Sequence, residues 1–109
     1  MARRVKRGEI WLYRFKNPDK TRPVVVLSRN EALAVLHTAT VAPVTSTIRG
    51  LPSEVVIGTS VGLKHDSAVN LDHLQTVEQA QLTHYVGVLS GHQLRRVRDS
   101  LLFALAWDQ

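Results

Sequence analysis

Two runs of apolar residues that end in hydroxyl-bearing side chains predict the centre of this protein. In the first run, four apolar residues, Val24–Leu27, follow Arg22 and Pro23 and precede Ser28. A continuous, mostly β-branched run of this length is typical of a strand that is buried on both faces. Proline is tolerated at the start of such a strand. We therefore expect Arg22 at the rim of the core, where the strand begins.

The second run has the same plan. Its apolar residues, Val41–Val44, are followed by Thr45, Ser46 and Thr47. We expect the ends of the two strands to meet, so that Arg22 and Thr45 share one site for an anion.

The rest of the pattern predicts short elements separated by turns. Trp11, Tyr13 and Phe15 alternate along residues 7–15 and so share one face of a first strand; such a row more often belongs to a core or a dimer interface than to a base-stacking surface. The other predicted strands are at 38–45, 53–57 and 85–89, with strand pieces at 67–71 and 73–77 that form either two strands or one bent strand. A short helix at 30–36 is predicted to be capped by Asn30, and a turn over 78–82 to be capped by Thr76. Turns are predicted at 17–19 and 62–66, and a loop at 48–52.

The clearest helix follows Ser90, because Ser90 and Gln93 have the spacing of a capping box. Its inner face is predicted to hold Leu94, Val97, Leu101, Ala104 and Leu105, and its solvent side Arg95, Arg96 and Arg98. About six short strands and one terminal helix predict a single, mainly β (α+β) domain over residues 1–109, curled on itself, with residues 1–6 as a loose basic tail.

Charge is unevenly distributed along the 109 residues. The chain has a formal net charge of +5, whereas residues 1–29 contain nine Lys or Arg residues and only Glu9 and Asp19 as acids. A basic half on a small domain suggests a polyanionic partner, nucleic acid first. There is no cysteine, no apolar run of membrane-spanning length and no signal-peptide pattern, so a cytoplasmic protein is expected.

Most catalytic chemistries find no support in the sequence. The five histidines lack the spacing of zinc ligands, no glycine-rich loop precedes a helix, and no nucleophile elbow is present. We therefore predict neither a metal site nor a cofactor.

RNA cleavage by its own 2′-hydroxyl needs neither a metal ion nor a protein nucleophile. The protein must position the chain and stabilise negative charge on the phosphoryl oxygens. A guanidinium binds two phosphate oxygens at once, and nearby hydroxyls complete such a clamp. Arg22 with Thr45, Ser46 and Thr47 supplies these groups.

Several motifs together resemble the PemK/MazF family of toxins. They are Arg-Gly-Glu-Ile-Trp at 7–11, Arg-Pro-Val-Val-Val-Leu-Ser at 22–28, Val-Ala-Pro-Val-Thr-Ser at 41–46, Gly-Leu-Lys-His-Asp-Ser at 62–67, Leu-Gln-Thr-Val at 74–77 and the terminal helix. The resemblance covers nearly the whole chain, and the first three motifs in this order are fairly specific.

This resemblance implies a Src-homology-3-like small barrel of about five to seven strands with short helices, acting as a homodimer. It implies the toxin of a type II toxin–antitoxin pair, a metal-independent, sequence-specific endoribonuclease that cleaves single-stranded mRNA and is held by a small acidic antitoxin whose tail occupies the RNA groove. Catalysis falls on Arg22 and Thr45. The residues implied in RNA binding are Arg14, Asn17, Lys20, Ser46, Thr47, Arg49, Asp72 and His73.

Two positions depart from the family pattern. Arg14 stands where an acid is common, and His73 replaces a more usual glutamine. A guanidinium barely deprotonates in proteins, so we expect Arg22 to act as an electrostatic clamp; the general base is unassigned, and His73 is a candidate by its titration range alone. Two alternatives stay open: a CcdB-like DNA gyrase poison acting through the C-terminal end near Trp107, and a non-catalytic RNA- or peptide-binding barrel.

Overall fold

A computed structural model describes residues 4–16 and 19–107. In chain order, the elements are β1 (Glu9–Lys16), β2 (Asp19–Val26), α1 (Asn30–Val35), β3 (Thr38–Thr45), β4 (Glu54–Ile57), a first 3₁₀ turn (Thr59–Val61), β5 (Ser67–Asn70), β6 (Gln75–Glu78), a second 3₁₀ turn (Gln79–Gln81), β7 (His84–Val88) and α2 (Gly91–Leu105).

The strands form one curled antiparallel sheet in the order β4-β5-β3-β2-β1-β7. Strand β6 pairs with the first half of β3 and β5 with its end, through Thr38↔Glu78 and Thr45↔Ala68. The two registers differ by three positions, so β5 and β6 are two parts of one interrupted strand, as one of the sequence alternatives proposed. Residues 71–74 form the interruption.

The central strand β2 separates two apolar clusters. Val24, Val25 and Val26 are fully buried, which confirms the prediction of a strand covered on both faces. Val25 belongs to a cluster beneath α2, together with Ile10, Leu71 and Val97. Val24 and Val26 belong to the other cluster, which also holds Trp11 and, at its edge, Tyr13 and Phe15. Of the two alternatives expected for the aromatic row, core or dimer interface, the structure places Trp11 in the core and Tyr13 and Phe15 partly buried at its edge.

Backbone contacts close the curled sheet at its last strand. The first 3₁₀ turn and the glycine after it lie against β7 so closely that a Cβ on Gly87 would overlap the carbonyl of Val61, and a Cβ on Gly62 would overlap the carbonyl of Val86. Gly62 also has a φ of +93°, which glycine adopts at little cost. We call this contact the glycine seam.

Helix α2 follows its sequence prediction closely. The Ser90 side chain accepts a hydrogen bond from the backbone of Gln93, and the Gln93 side chain accepts one from Ser90, which completes the capping box. Val97 is buried, and Leu94, Leu101 and Ala104 pack against the first cluster, while Arg95, Arg96 and Arg98 are exposed. Leu105, predicted on the inner face, is instead 51% exposed and does not pack against this cluster.

Four local predictions are wrong. Val5 is buried against Trp11 and its cluster, so the loose tail does not extend to residues 5 and 6. The Asn30 side chain accepts a hydrogen bond from the backbone of Arg7 at 2.8 Å, and α1 has Arg29 as an N-cap without a side-chain bond. Thr76 lies within β6 and caps no turn. Strand β2 begins at Asp19, well before Pro23, because β1 pairs along its whole length.

Candidate active site

Arg22 lies within β2, three positions after its first residue Asp19, and Thr45 is the last residue of the neighbouring strand β3. Strands β2 and β3 pair from Val26↔Val41 to Val24↔Pro43. Extending that register by two positions sets Arg22 opposite Thr45. Directly opposed residues of an antiparallel pair present their side chains on the same face, so this geometry is suited to one ligand that contacts both.

The guanidinium of Arg22 has no partner in the described part of the chain. Arg22 is half-buried beside Tyr13 of β1, and no hydrogen bond or ion pair to its side chain is present among residues 4–16 and 19–107. A partly desolvated cation without a counter-ion attracts an anion more strongly than a fully hydrated one does. The position of Arg22 on β2 is therefore suited to binding a phosphate.

Arg14 differs from Arg22 in this respect. Its Nε and one terminal nitrogen donate hydrogen bonds to the two carboxylate oxygens of Asp19, each at 2.7 Å. These bonds lower the pKa of Asp19 and raise the pKa of Arg14, so both groups stay charged and neutralise one another. Arg14 lines a separate groove of about 750 Å³ together with Lys16 and His84. Its contact with RNA stays a prediction, and Asn17 lies outside the described residues.

The hydroxyl-bearing residues after β3 begin a tight turn. The Thr45 hydroxyl oxygen accepts a hydrogen bond from the backbone N–H of Thr47 at 3.2 Å, and its own proton stays available for donation. Ser46 and Thr47 are exposed. The segment thus presents three consecutive hydroxyl-bearing residues at the end of β3.

A cleft of about 370 Å³ lies beside Arg22, and we call it the Arg22 cleft. Its predicted lining residues are Lys20 and Arg22 from β2 and Ser46 from the turn after β3. It also contains Lys64, His65 and Ser67, which the sequence placed only in and after a turn. Their one sequence signal is a pair of basic residues just after Gly62, and that signal does not show which surface they face.

Thr45, the second predicted catalytic residue, is not among the described residues that line this cleft, although its chain neighbours Val44 and Ser46 are. The remaining predicted RNA-binding residues, Thr47 included, do not line it either. Arg49 lies in a loop held by the buried Glu54, whose carboxylate accepts hydrogen bonds from the backbones of Arg49 and Leu51 at 3.0 and 3.3 Å. Asp72 and His73 lie in the interruption between β5 and β6. Asp72 accepts a hydrogen bond of 2.5 Å from the Ser53 hydroxyl.

His73 makes one weak side-chain contact. Its Nδ1 lies 3.5 Å from the Asn70 amide nitrogen, and it is exposed. Proton transfer by His73 therefore has no geometric support, since His73 lies in the interruption between β5 and β6. No group of three His, Asp or Glu side chains among the described residues is placed to hold a metal ion. Neither helix in that part of the chain is long and apolar enough to cross a membrane.

The fold and the site together define a class of small proteins: a curled antiparallel sheet closed by a C-terminal helix, with an arginine on one strand that has no partner among the described residues and a threonine at the end of the next strand. Residues 6–105 match the family model described as PemK-like, MazF-like toxin of type II toxin–antitoxin system. The chain belongs to this family, as its motifs indicated.

Known proteins of the same family agree with this assignment. The probable endoribonuclease MazF5 of Mycobacterium tuberculosis is 43% identical over 100 residues, which cover 91% of each chain. The solved structure of Mycobacterium tuberculosis toxin MazF-mt6 is 32% identical, with a TM-score of 0.83 over 90% of this chain and 96% of that one.

A third protein supports the fold alone. A mycobacterial endoribonuclease solved in complex with its cognate antitoxin has a TM-score of 0.85 over 94% of this chain and 95% of that one, at 22% identity. The predicted mainly β barrel with a terminal helix is confirmed. The gyrase-poison and non-catalytic alternatives receive no support from these similarities.

Proposed function

We propose that this toxin-family protein is a metal-independent, sequence-specific endoribonuclease that cleaves single-stranded mRNA to 2′,3′-cyclic phosphate and 5′-hydroxyl ends. The observation that carries the proposal is the unpaired, half-buried guanidinium of Arg22, opposite the register position of Thr45. The similarity to named endoribonucleases supplies the substrate class.

In the proposed reaction, the 2′-oxygen of the nucleotide before the cut attacks the adjacent phosphorus. The bond from phosphorus to the 5′-oxygen breaks, the 2′-hydroxyl gives up its proton, and the departing oxygen takes one. Arg22 holds the two non-bridging oxygens, on which negative charge grows, and the Thr45 hydroxyl donates a further hydrogen bond to them. Ser46 and Thr47 hold the neighbouring backbone of the RNA.

The remaining RNA contacts are proposed along the same surface. Lys20 and Arg49 are cations without a side-chain partner in the described residues, and phosphate contacts of this kind position a chain without reading its sequence. Asp72, His73, Arg14 and Asn17 complete the proposed contact set. Asp72 can accept hydrogen bonds from a base, since its second oxygen remains open beside the Ser53 contact.

The family description also names a partner, because these toxins belong to two-component systems. We propose that a small acidic antitoxin with a disordered tail neutralises Arg22 and Lys20 and so competes with RNA. Both toxin and mRNA substrate are then cytoplasmic, and residues 1–109 act as one domain.

The end points of cleavage test the enzymatic proposal. Purified protein should cut single-stranded RNA of mixed sequence in excess EDTA, and the new 5′ ends should accept phosphate from polynucleotide kinase without prior phosphatase treatment. The new 3′ ends should resist poly(A) tailing until the cyclic phosphate is removed. Salt-dependent RNA binding without cleavage would favour a non-catalytic barrel, and inhibition of gyrase supercoiling without cleavage would favour the gyrase poison.

We also propose a homodimer that uses the end of α2. Phe103 and Leu105 are about half exposed and Trp107 is 77% exposed, whereas Leu101 packs into the chain's own core. Clusters of exposed large apolar residues mark interaction surfaces. Sedimentation equilibrium should give twice the 12.2 kDa chain mass.

A matched pair of variants tests the surface. The double variant Phe103→Ser/Trp107→Ser should weaken the dimer. Ile48→Ser, which removes an exposed apolar residue elsewhere, should leave the dimer unchanged. If the double variant and Ile48→Ser change the dimer dissociation constant equally, the dimer contact does not lie at the end of α2.

A further inference from the structure

The wall of the Arg22 cleft that faces β2 carries two basic side chains without partners. Lys64 and His65 both line the cleft, both are exposed, and neither side chain forms a hydrogen bond or ion pair within the described residues. The segment is held in place at both ends. Gly62 lies in the glycine seam, and the Ser67 hydroxyl donates a hydrogen bond to the His65 carbonyl at 3.2 Å.

The charged residues that line the cleft are all basic. They include Lys20, Arg22 and Lys64, and no carboxylate is found among the described lining residues, although Asp19 and Asp66 are chain neighbours of lining residues. The neighbouring groove differs, because there Asp19 neutralises Arg14. Walls of one charge on an apolar body concentrate the field and raise the local concentration of an oppositely charged ligand.

The inner part of the cleft is apolar. Leu12, Pro23, Val44, Leu63 and Val86 form it, and the hydroxyls of Ser46 and Ser67 lie among them. Its volume of about 370 Å³ falls at the lower end of the range for small-ligand pockets, about 300 to 1,000 Å³. Proteins hold an unstacked base of single-stranded RNA by stacking it on a planar side chain, such as an arginine or histidine, and by hydrogen bonds to its edges. The described lining offers the planar groups of Arg22 and His65, aliphatic surface and hydroxyls for such contacts.

We infer that the Arg22 cleft binds the nucleotide adjacent to the scissile phosphate, with its base on the apolar floor. Lys64 contacts the phosphate that flanks this nucleotide on the side away from Arg22. His65 and Ser67 form hydrogen bonds with the edge of the base, so they contribute to the choice of RNA sequence. This inference rests on the proposed endoribonuclease function and adds to it a specificity site formed by the segment after Gly62.

Lys64 and His65 have different proposed roles, so their substitutions should have different measurable effects. Lys64→Gln should raise the Kd for a 2′-deoxy-substituted, uncleavable RNA by roughly 3- to 10-fold. It should also reduce the slope of log K against log salt by about 0.7, the value for one lost phosphate contact on a single strand. His65→Ala should relax the base preference at one position beside the cut, as read by sequencing the fragments of a randomised RNA, because base contacts carry specificity.

Matched controls come from α2. Arg96→Gln and His92→Ala remove the same kinds of side chain from exposed positions outside the proposed site, and both should match the unaltered protein in salt slope and in base preference. All four substitutions are at the surface, so thermal unfolding should occur at the same temperature and exclude loss of structure as the cause.

The outcomes separate this inference from the proposed function. If the unaltered protein cuts RNA and the Lys64 and His65 variants match the controls, the nucleotide site is wrong and the nuclease stands. If no RNA is cut but Lys64→Gln still lowers the salt slope of binding, the cleft contacts an RNA phosphate, the nuclease fails, and the assignment beside a scissile phosphate is overturned with it. If the variants weaken binding of a polyglutamate-rich peptide and leave RNA binding unchanged, the cleft serves an acidic protein segment and the inference is overturned.

Discussion

Arg22→Ala is expected to lower the rate constant for RNA cleavage by about 100- to 1,000-fold, the usual cost of removing one donor that stabilises transition-state charge. Affinity for uncleavable RNA should fall far less, because Lys20, Lys64 and Arg49 still contact phosphates. Single-turnover cleavage of a fluorescent RNA measures the rate constant, and anisotropy with the uncleavable analogue measures affinity. The fold should remain stable, because Arg22 is only half-buried and its side chain has no partner among residues 4–16 and 19–107 that would lose a hydrogen bond or ion pair.

Two further variants test whether the geometry of the guanidinium matters. Arg22→Lys keeps the charge but cannot bind two oxygens in parallel, so it should recover only a small part of the lost rate. Thr45→Val keeps the shape and removes one hydrogen bond, so a loss of roughly 10-fold is expected. If Arg22→Lys and Thr45→Val both cut RNA at the normal rate, the strand-end pair does not stabilise the transition state.

Leu71→Ala is expected to lower the free energy of unfolding by about 2 to 5 kcal/mol, as is usual when a large buried side chain is truncated. Leu71 is 1% exposed and belongs to the cluster beneath α2. Its backbone N–H donates to the Ser53 carbonyl at 3.0 Å, which ties β5 to the start of β4 and limits the collapse of the new cavity. Urea unfolding should show a lower midpoint with an unchanged m-value.

Val56→Ala is the matched control for the core variant. Val56 lies on β4 and is 40% exposed, so its truncation should change the free energy of unfolding by no more than about 0.5 kcal/mol. Equal losses for the two variants would mean that Leu71 is not part of a tightly packed cluster. If the protein is a dimer, both measurements need the same protein concentration, because association adds to the apparent stability.

The sequence predicts those parts of the fold that depend on local chemistry. Strand β3 has the predicted bounds, Thr38–Thr45, and Ser90 caps α2 as its spacing with Gln93 indicated. Hydrophobic periodicity and side-chain capping involve neighbours within a few positions, so a linear pattern contains the necessary information.

Most of the missed features are contacts between distant segments, whereas the cap predicted at Thr76 was a local miss, because Thr76 lies within β6. Val5 completes a cluster with residues far along the chain, and Asn30 bonds to Arg7 rather than to its own helix. The same limit applies to the candidate site. Arg22 and Thr45 were predicted from the pattern of the two apolar runs and from the family resemblance. Lys64 and His65 line the same cleft as Arg22 because the sheet closes where Gly62 packs against β7, and that contact is not visible in the sequence.

The close backbone approach at Gly87 has a consequence for how such a toxin can diversify. A methyl group there would overlap the carbonyl of Val61, so either β7 or the turn at Thr59–Val61 would have to shift. Gly62 connects that turn to the segment carrying Lys64 and His65, so a shift of the turn would change the width of the proposed nucleotide site. A substitution at Gly87 is therefore expected to affect the RNA preference proposed for this site without changing any side chain that lines it.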